Sequence, residues 1–264
     1  MIFDTHAHYD HRRFDEDRES LVASLPEKGV GLVLNPGISL ETSRAAADLA
    51  RRHRHVYAAA GIHPKYVLDL PEDWRETLRA LAGEEKVVAI GEIGLDFYWE
   101  KESAARQEEI FCAQLDLARE LDKPVIIHDR EAHRETMAVL REYPDLRGEV
   151  HCFSGDAAMA EELLARGWYL GFDGPVTFQM NQDHARSVAC AVPLERMLLE
   201  TDAPFLTPAP HRKERNDSTY LPLVARRLAA WKGVAEEKLT NITWDNGCRF
   251  FGIVPEETET DHDF

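Results

Sequence analysis

Short apolar runs alternate with amphipathic segments from one end of this chain to the other, and that alternation most constrains its fold. The runs fall at residues 2–5, 31–35, 57–61, 87–92, 125–128, 149–152, 169–172 and 197–200, each of a length suited to a buried strand. Between them, helical periodicity covers 17–27, 40–52, 72–82, 103–121, 131–142, 157–166, 182–191 and 221–232, with a last helix at 235–251. Parallel strands need long crossovers, and helices are the usual ones. Eight strand–helix units predict an α/β chain closed into a (β/α)8 barrel of TIM type, and 264 residues is close to the ~250 such a barrel uses. No strand runs into a Gly-x-Gly-x-x-Gly loop, which disfavours a doubly wound sheet. No repeat or low-complexity linker breaks the series. The expected organisation is one barrel at 1–254 followed by a disordered acidic tail at 255–264.

The net charge of −17 argues against a surface that coats itself on duplex DNA. It leaves room for a phosphate-bearing substrate, because bound dications make a pocket locally positive. The one compact basic cluster is His211-Arg212-Lys213-Glu214-Arg215, in a long loop at 203–219 on the barrel face where active sites are built. It reads either as a solvated charged loop or as a phosphate clamp. No apolar run approaches the ~20 residues that span a bilayer. The first strand starts at Ile2, which leaves no room for an export signal. Cys112, Cys152, Cys190 and Cys248 are widely spaced without a Cys-x-x-Cys pair, as in reduced, packed thiols. Together these predict a cytoplasmic protein with no membrane contact and no obligate protein partner.

Several apolar runs end in ligand-type residues. Asp4-Thr5-His6-Ala7-His8 closes the first, Gly91-Glu92-Ile93-Gly94 the fourth, Ile127-His128-Asp129-Arg130 the fifth, His151-Cys152-Phe153-Ser154-Gly155 the sixth and Glu200-Thr201-Asp202-Ala203-Pro204 the eighth. His6 and His8 point the same way along an extended segment and can meet one cation at ~2.0–2.1 Å. Taken alone, such a pair can also be a polar strand end. Glu92 either caps a loop or bridges two cations ~3.5–4 Å apart. Asp96 suits loop capping better. His128 and His151 are each either core histidines or the ligand pair of a second cation. Asp202 can bind a metal and accept the proton of a water nucleophile. Glu200 shares its face, either behind a ligand or polarising substrate. The set suits one or two divalent cations, Mg, Mn or Zn. Phe97, Tyr98 and Trp99 either stack a base or pack.

These motifs, with Gly61-Ile62-His63-Pro64 and the extension Leu95-Asp96, resemble the TatD-type deoxyribonucleases within the amidohydrolase superfamily, in order from residue 2 to about residue 251. The resemblance implies a distorted (β/α)8 barrel, metal ligation by His6, His8, Glu92, His128, His151 and Asp202, and a His63 that touches the scissile phosphate. It also implies hydrolysis of DNA phosphodiesters as a 3′→5′ exonuclease. The expected partner is DNA, mainly single-stranded or frayed at its ends, held by Arg212, Arg215 and Glu200 besides His63. The family often shows Arg-Asn-x-Pro where this chain has Arg215-Asn216-Asp217-Ser218, and that departure predicts a looser loop. One alternative keeps the metals and changes the bond to an amide, lactone or ester, such as a D-aminoacyl ester on tRNA. Many amidohydrolases bridge their metals with a carboxylated lysine where this chain places Glu92, which favours the nuclease. Another alternative is a catalytically idle metal-binding scaffold, which predicts broken ligand positions; none is broken.

Overall fold

Each apolar run becomes a strand in the computed structural model, which describes residues 1–99, 101–180 and 182–255. The tail expected at 255–264 lies outside these residues, apart from Pro255. The strands are β1 (Ile2–Asp4), β2 (Val30–Pro36), β3 (Val56–Ala60), β4 (Val87–Asp96), β5 (Val125–Arg130), β6 (Gly148–Val150), β7 (Tyr169–Phe172) and β8 (Met197–Leu199). They form one sheet in chain order, and every neighbouring pair is parallel. The sheet closes just beyond the strand ends. Thr5 N–H donates to Leu199 O at 3.0 Å and His8 N–H to Ala203 O at 2.7 Å, with Ala7 bridging Ala203. The result is a (β/α)8 barrel.

The crossovers are α1 (Arg18–Ser24), α2 (Leu40–Arg52), α3 (Trp74–Ala82), α4 (Ala104–Glu120), α5 (His133–Arg141), α6 (Ala157–Ala165), α7 (Gln182–Ala191) and α8 (Leu221–Lys232), followed by α9 (Glu236–Phe251). Local chemistry sets their ends. Ser39 and Thr42 form a reciprocal capping box on α2, and Gly233 ends α8 in the left-handed conformation, φ 65°. The first helix is shorter than the 17–27 expected: Pro26 lacks an amide donor, and the chain turns into a 3-10 turn at Pro26–Lys28. Among the described residues, no helix is long and apolar enough to cross a membrane.

Strand side chains alternate between two apolar layers. Val33, Val125, Ile127 and Leu199 pack with the helices. Phe3, Leu32, Leu34, Ala59, Ala89, Ile126, Tyr169 and Leu198 join Phe250 and Phe251 of α9 in a second layer. Strand β6 breaks that second layer: Glu149 sits in register between Ile126 and Tyr169. Its carboxylate is fully buried, with neither oxygen hydrogen-bonded among the described residues. Burial pushes this carboxyl well above the usual range. Glu149→Val is therefore expected to raise stability by about 1–3 kcal/mol, a Tm gain of roughly 2–4 °C per kcal/mol in a chain of this size. Calorimetry that found a lower Tm would show that Glu149 contributes favourable contacts.

Candidate metal centre

Directly past the end of β1, the segment 5–8 stays extended because it is tied on both sides. Ala7 N–H donates to Leu34 O at 3.0 Å, and Asp202 N–H donates to His6 O at 2.9 Å. His6 and His8 thereby both face the barrel mouth, with their Nε2 atoms 3.2 Å apart. Strand β4 continues past Glu92 to Asp96, because Gly94 and Asp96 pair with His128 and Arg130. A side chain at Gly94 would collide with His128 O, and its φ is 145°, so glycine is required for β4 to run this close to β5. Strand β6 stops before His151, where Cys152 turns left-handed at φ 44°; Asp202 does the same at φ 56°. Non-glycine residues in this region are uncommon and cluster at functional sites.

Glu92 lies at the middle of the cluster and divides its oxygens between two histidine pairs. Its Oε2 is 3.4 Å from His6 Nε2 and 3.5 Å from His8 Nε2. Its Oε1 is 2.8 Å from His128 Nδ1 and 3.3 Å from His151 Nε2. Asp202 Oδ1 joins the first pair at 3.3 Å from His8 Nε2 and 3.9 Å from His6 Nε2. Asp202 also faces the opening, its side chain 17% exposed against 4% for Glu92.

The outer nitrogens of three rings have an oxygen behind them, within hydrogen-bond distance for His8 and His128 and an ion-pair contact for His151, which fixes what the inner ones can do. His8 Nδ1 lies 3.2 Å from Pro36 O; a carbonyl only accepts, so Nδ1 carries the proton and Nε2 offers a lone pair. His128 Nε2 lies 3.1 Å from Asp96 Oδ2, leaving Nδ1 toward Glu92. His151 Nδ1 is 3.4 Å from Glu200 Oε1, leaving Nε2 inward. His63 is oriented the opposite way. Its Nδ1 accepts from Lys65 N–H at 3.1 Å, so the neutral ring carries its proton on Nε2, 3.7 Å from Glu92 Oε1. Such a ring is a hydrogen-bond donor toward the centre, although its nitrogen is near enough to Glu92 and His128 to be grouped with them.

Charge follows the same plan. Burial would raise the Glu92 carboxyl, but the His151 imidazole, with His128, pulls it well below its usual range. Burial likewise opposes ionisation of Asp202, and His8 and His151 outweigh it. His8 is pushed up to about 9: burial works against its charged form, and Asp202 and Glu92 overcome that. His151 is raised well above the ordinary value against the same desolvation, by Glu92 and Glu200. Burial lowers His63 to about 3, helped by His128, so it stays neutral. The centre thus keeps its carboxylates ionised and draws positive charge onto its rings. A divalent cation would displace the protons from the inner nitrogens, and the neutral-nitrogen and carboxylate set that results fits such an ion. One would be held among His6, His8, Glu92 and Asp202, and another among Glu92, His128 and His151.

The remaining candidates are spread around this centre. Glu200 is fully buried behind the rings, where its Oε1 accepts the Cys152 N–H; that placement suits orienting His151 rather than reaching the opening. Asp96 caps the following loop, accepting from Tyr98 N–H and Trp99 N–H at 3.0 and 2.9 Å, and also steadies His128. Arg215 is engaged by Asp17 through both terminal nitrogens, at 2.7 and 2.6 Å. Arg212 is exposed and stacks over Phe178, 3.3 Å from the ring centroid. The loop expected to be loose is tied down. Asn216 Nδ2 donates to Thr201 O and Phe205 O at 2.9 and 2.6 Å, and Ser218 is buried against Tyr9 and Asp4. Two buried acids, Glu149 and Asp173, go unmentioned in the motif reading. Asp173 directly follows a strand, as the ligand-type residues do, and that position was the available signal.

A (β/α)8 barrel that gathers histidines around a shared carboxylate at the carboxyl ends of its strands is the frame of a metal-dependent hydrolase. The sequence profile described as TatD related DNase matches residues 3–252, and the chain belongs to that family. It is 38% identical to the uncharacterized metal-dependent hydrolase YabD of Bacillus subtilis (strain 168), over 96% of this chain and 100% of that one. It is 40% identical to the 3′-5′ ssDNA/RNA exonuclease TatD of Cronobacter sakazakii, over 95% and 97% of the two chains. Its fold superposes on the crystal structure of YjjV, a TatD homologue from Escherichia coli K12, with TM-score 0.89 and 29% identity, covering 96% and 98%.

The tautomer of His63 gives a prediction. His63→Ala should raise KM or lower kcat for an anionic substrate while metal content per chain stays within about a tenth of wild type. Loss of bound metal in that variant, read by elemental analysis, would make His63 a ligand.

Proposed function

We propose that this chain hydrolyses DNA phosphodiesters stepwise from 3′ ends, preferring single strands or frayed termini. The observation that carries the hydrolytic part is Glu92, whose two oxygens serve two separate histidine pairs. A bound divalent pair supplies Lewis acidity toward a phosphoryl oxygen, a lowered pKa for water and charge stabilisation at the leaving oxygen. The chain does the rest. Asp202, ionised and facing the opening, accepts the proton of the attacking water at its carboxylate. His63 Nε2–H donates to a nonbridging oxygen of the phosphate. Pro36 O, Asp96 and Glu200 hold His8, His128 and His151 so that no ring must turn during the reaction.

Support for nucleic acid comes from the exonuclease name of the Cronobacter relative and from the mouth itself. Tyr98 and Trp99 are exposed, and the Arg130 guanidinium lies 4.4 and 5.8 Å from their ring centroids. Exposed aromatics beside a cation are a surface on which successive bases stack with little sequence preference. If the ligand set grips a terminal phosphodiester inside the barrel mouth, a continuous duplex enters only by unpairing its end. The test is incubation of the purified protein with end-labelled single-stranded and blunt duplex DNA, with Mg²⁺, Mn²⁺ or Zn²⁺ and then with chelator. The expected result is metal-dependent release of mononucleotides, faster from single strands and abolished by chelation. Absence of chelator-sensitive cleavage with all three metals, or nicking of closed plasmid with no faster loss of single-stranded ends, sinks the reading. A higher metal-dependent rate on esters or lactones moves the assignment to that bond.

A further inference from the structure

Beside the metal centre lies a cavity of about 270 Å³ that the reaction outlined above does not use. Phe153, Val176, Phe178 and Val188 form its apolar walls, and Cys152 and Asp173 its polar part. It adjoins the centre directly: Cys152 follows His151 in the chain, and its backbone N–H is held by Glu200. Asp173 is 2% exposed, and its Oδ2 has no hydrogen-bond partner among the described residues. Arg212 stands at the rim, stacked on Phe178. Mostly apolar walls with one placed polar group are the usual composition of a small-molecule site. An unpartnered carboxylate oxygen inside such walls calls for a ligand with N–H donors.

We propose that this cavity receives the base of the nucleotide whose phosphate is cut, and that Asp173 hydrogen-bonds to its edge. The proposal rests on the phosphodiester reading and adds a specificity pocket to it. Two phenylalanines on the walls suit a flat ring, and with the base between them its phosphate reaches back over Cys152 toward His151. Arg212 at the rim then meets the backbone of the preceding nucleotide. Burial and the neighbouring Glu200 carboxylate push the Asp173 carboxyl well above its usual range, and a protonated carboxyl both donates and accepts. Such a group pairs with any base edge that sets an N–H beside an acceptor. The pocket therefore favours a base-bearing end over an abasic one, with little choice among the bases.

The test uses single-stranded oligonucleotides of one body with a 3′-terminal dG, dT or abasic residue, and calorimetric binding of dGMP and dTMP to the metal-loaded protein. Removing the terminal base, dG or dT, is expected to lower kcat/KM roughly 10–100-fold. Asp173→Ala removes the group that bonds the base edge, so it should narrow the gap between base-bearing and abasic ends. Ala185→Phe places a ring in the cavity from α7, where Ala185 is partly exposed, and should reduce use of base-bearing ends relative to abasic ends. Cleavage of all three ends at equal rates, or an unchanged ratio in Ala185→Phe, overturns the pocket and leaves the nuclease reading standing. Binding of dGMP that depends on Asp173 without any DNA cleavage does the reverse. Neither binding nor cleavage removes both.

Discussion

Asp202→Asn is expected to yield a folded protein whose turnover on DNA ends is lower by ~10²–10⁴-fold, the usual range for loss of a general base. Folding should survive because the residue sits at φ 56°, and asparagine tolerates the left-handed region about as well as aspartate. Its backbone ties, Asp202 N–H to His6 O at 2.9 Å and Phe205 N–H to Asp202 O at 2.9 Å, do not depend on the side chain. What changes is the charge. The carboxylate is held ionised by His8 and His151 against its own burial, and an amide can neither take a proton nor balance those rings. Circular dichroism and Tm should match wild type, kcat should fall more than KM rises, and metal content should drop by at most one ion per chain. Near-native turnover in this variant would remove Asp202 from the mechanism. A loss of both metals would show that it acts only as a ligand.

The clustering of the candidate ligands was legible in the sequence because of how a barrel is built. Residues that end apolar runs in a parallel sheet reach one face, so His6, His8, Glu92, His128, His151 and Asp202 could be assembled without coordinates. Alternation along an extended chain put His6 and His8 on one side, and Ala7 pairing with Ala203 is the reason that segment stays extended. Roles set by partners far away in the chain were not legible. Arg215 reads as a free cation until Asp17, 198 residues earlier, is seen beside it. Asp96 reads as a loop cap, which it is, but its hold on His128 depends on Gly94 pairing with that residue. The tautomer of His63 is set by the backbone N–H of Lys65, a three-dimensional fact. Glu149 could have been placed: two residues before His151 on an extended strand, it must share the interior face.

Asp4→Ala is expected to cost about 3–5 kcal/mol of stability, while Asp4→Asn stays within about 1 kcal/mol of wild type. Asp4 is fully buried where the barrel closes, and its two oxygens accept four hydrogen bonds. Oδ1 takes His6 N–H at 3.3 Å and Thr201 N–H at 3.1 Å. Oδ2 takes the Thr201 hydroxyl at 2.7 Å and the Ser218 hydroxyl at 2.6 Å. One side chain thus joins β1 to the segment after β8 and to the turn before α8. Alanine strands these donors in a space too small and apolar to replace them, and each unsatisfied buried donor costs about 1–3 kcal/mol. The amide behaves differently. Its oxygen can keep both backbone donors, and its NH₂ can donate to the two hydroxyls, which rotate to accept. Burial has already pushed the Asp4 carboxyl up to about 7, so near neutral pH a neutral group of the same shape is a close match. Because His6 hangs on the same network, Asp4→Ala should also weaken metal binding, and Asp4→Asn should not. Urea unfolding midpoints with metal titrations on both variants check this. Equal destabilisation by alanine and asparagine would mean that charge, and not hydrogen-bond satisfaction, holds the barrel seam closed.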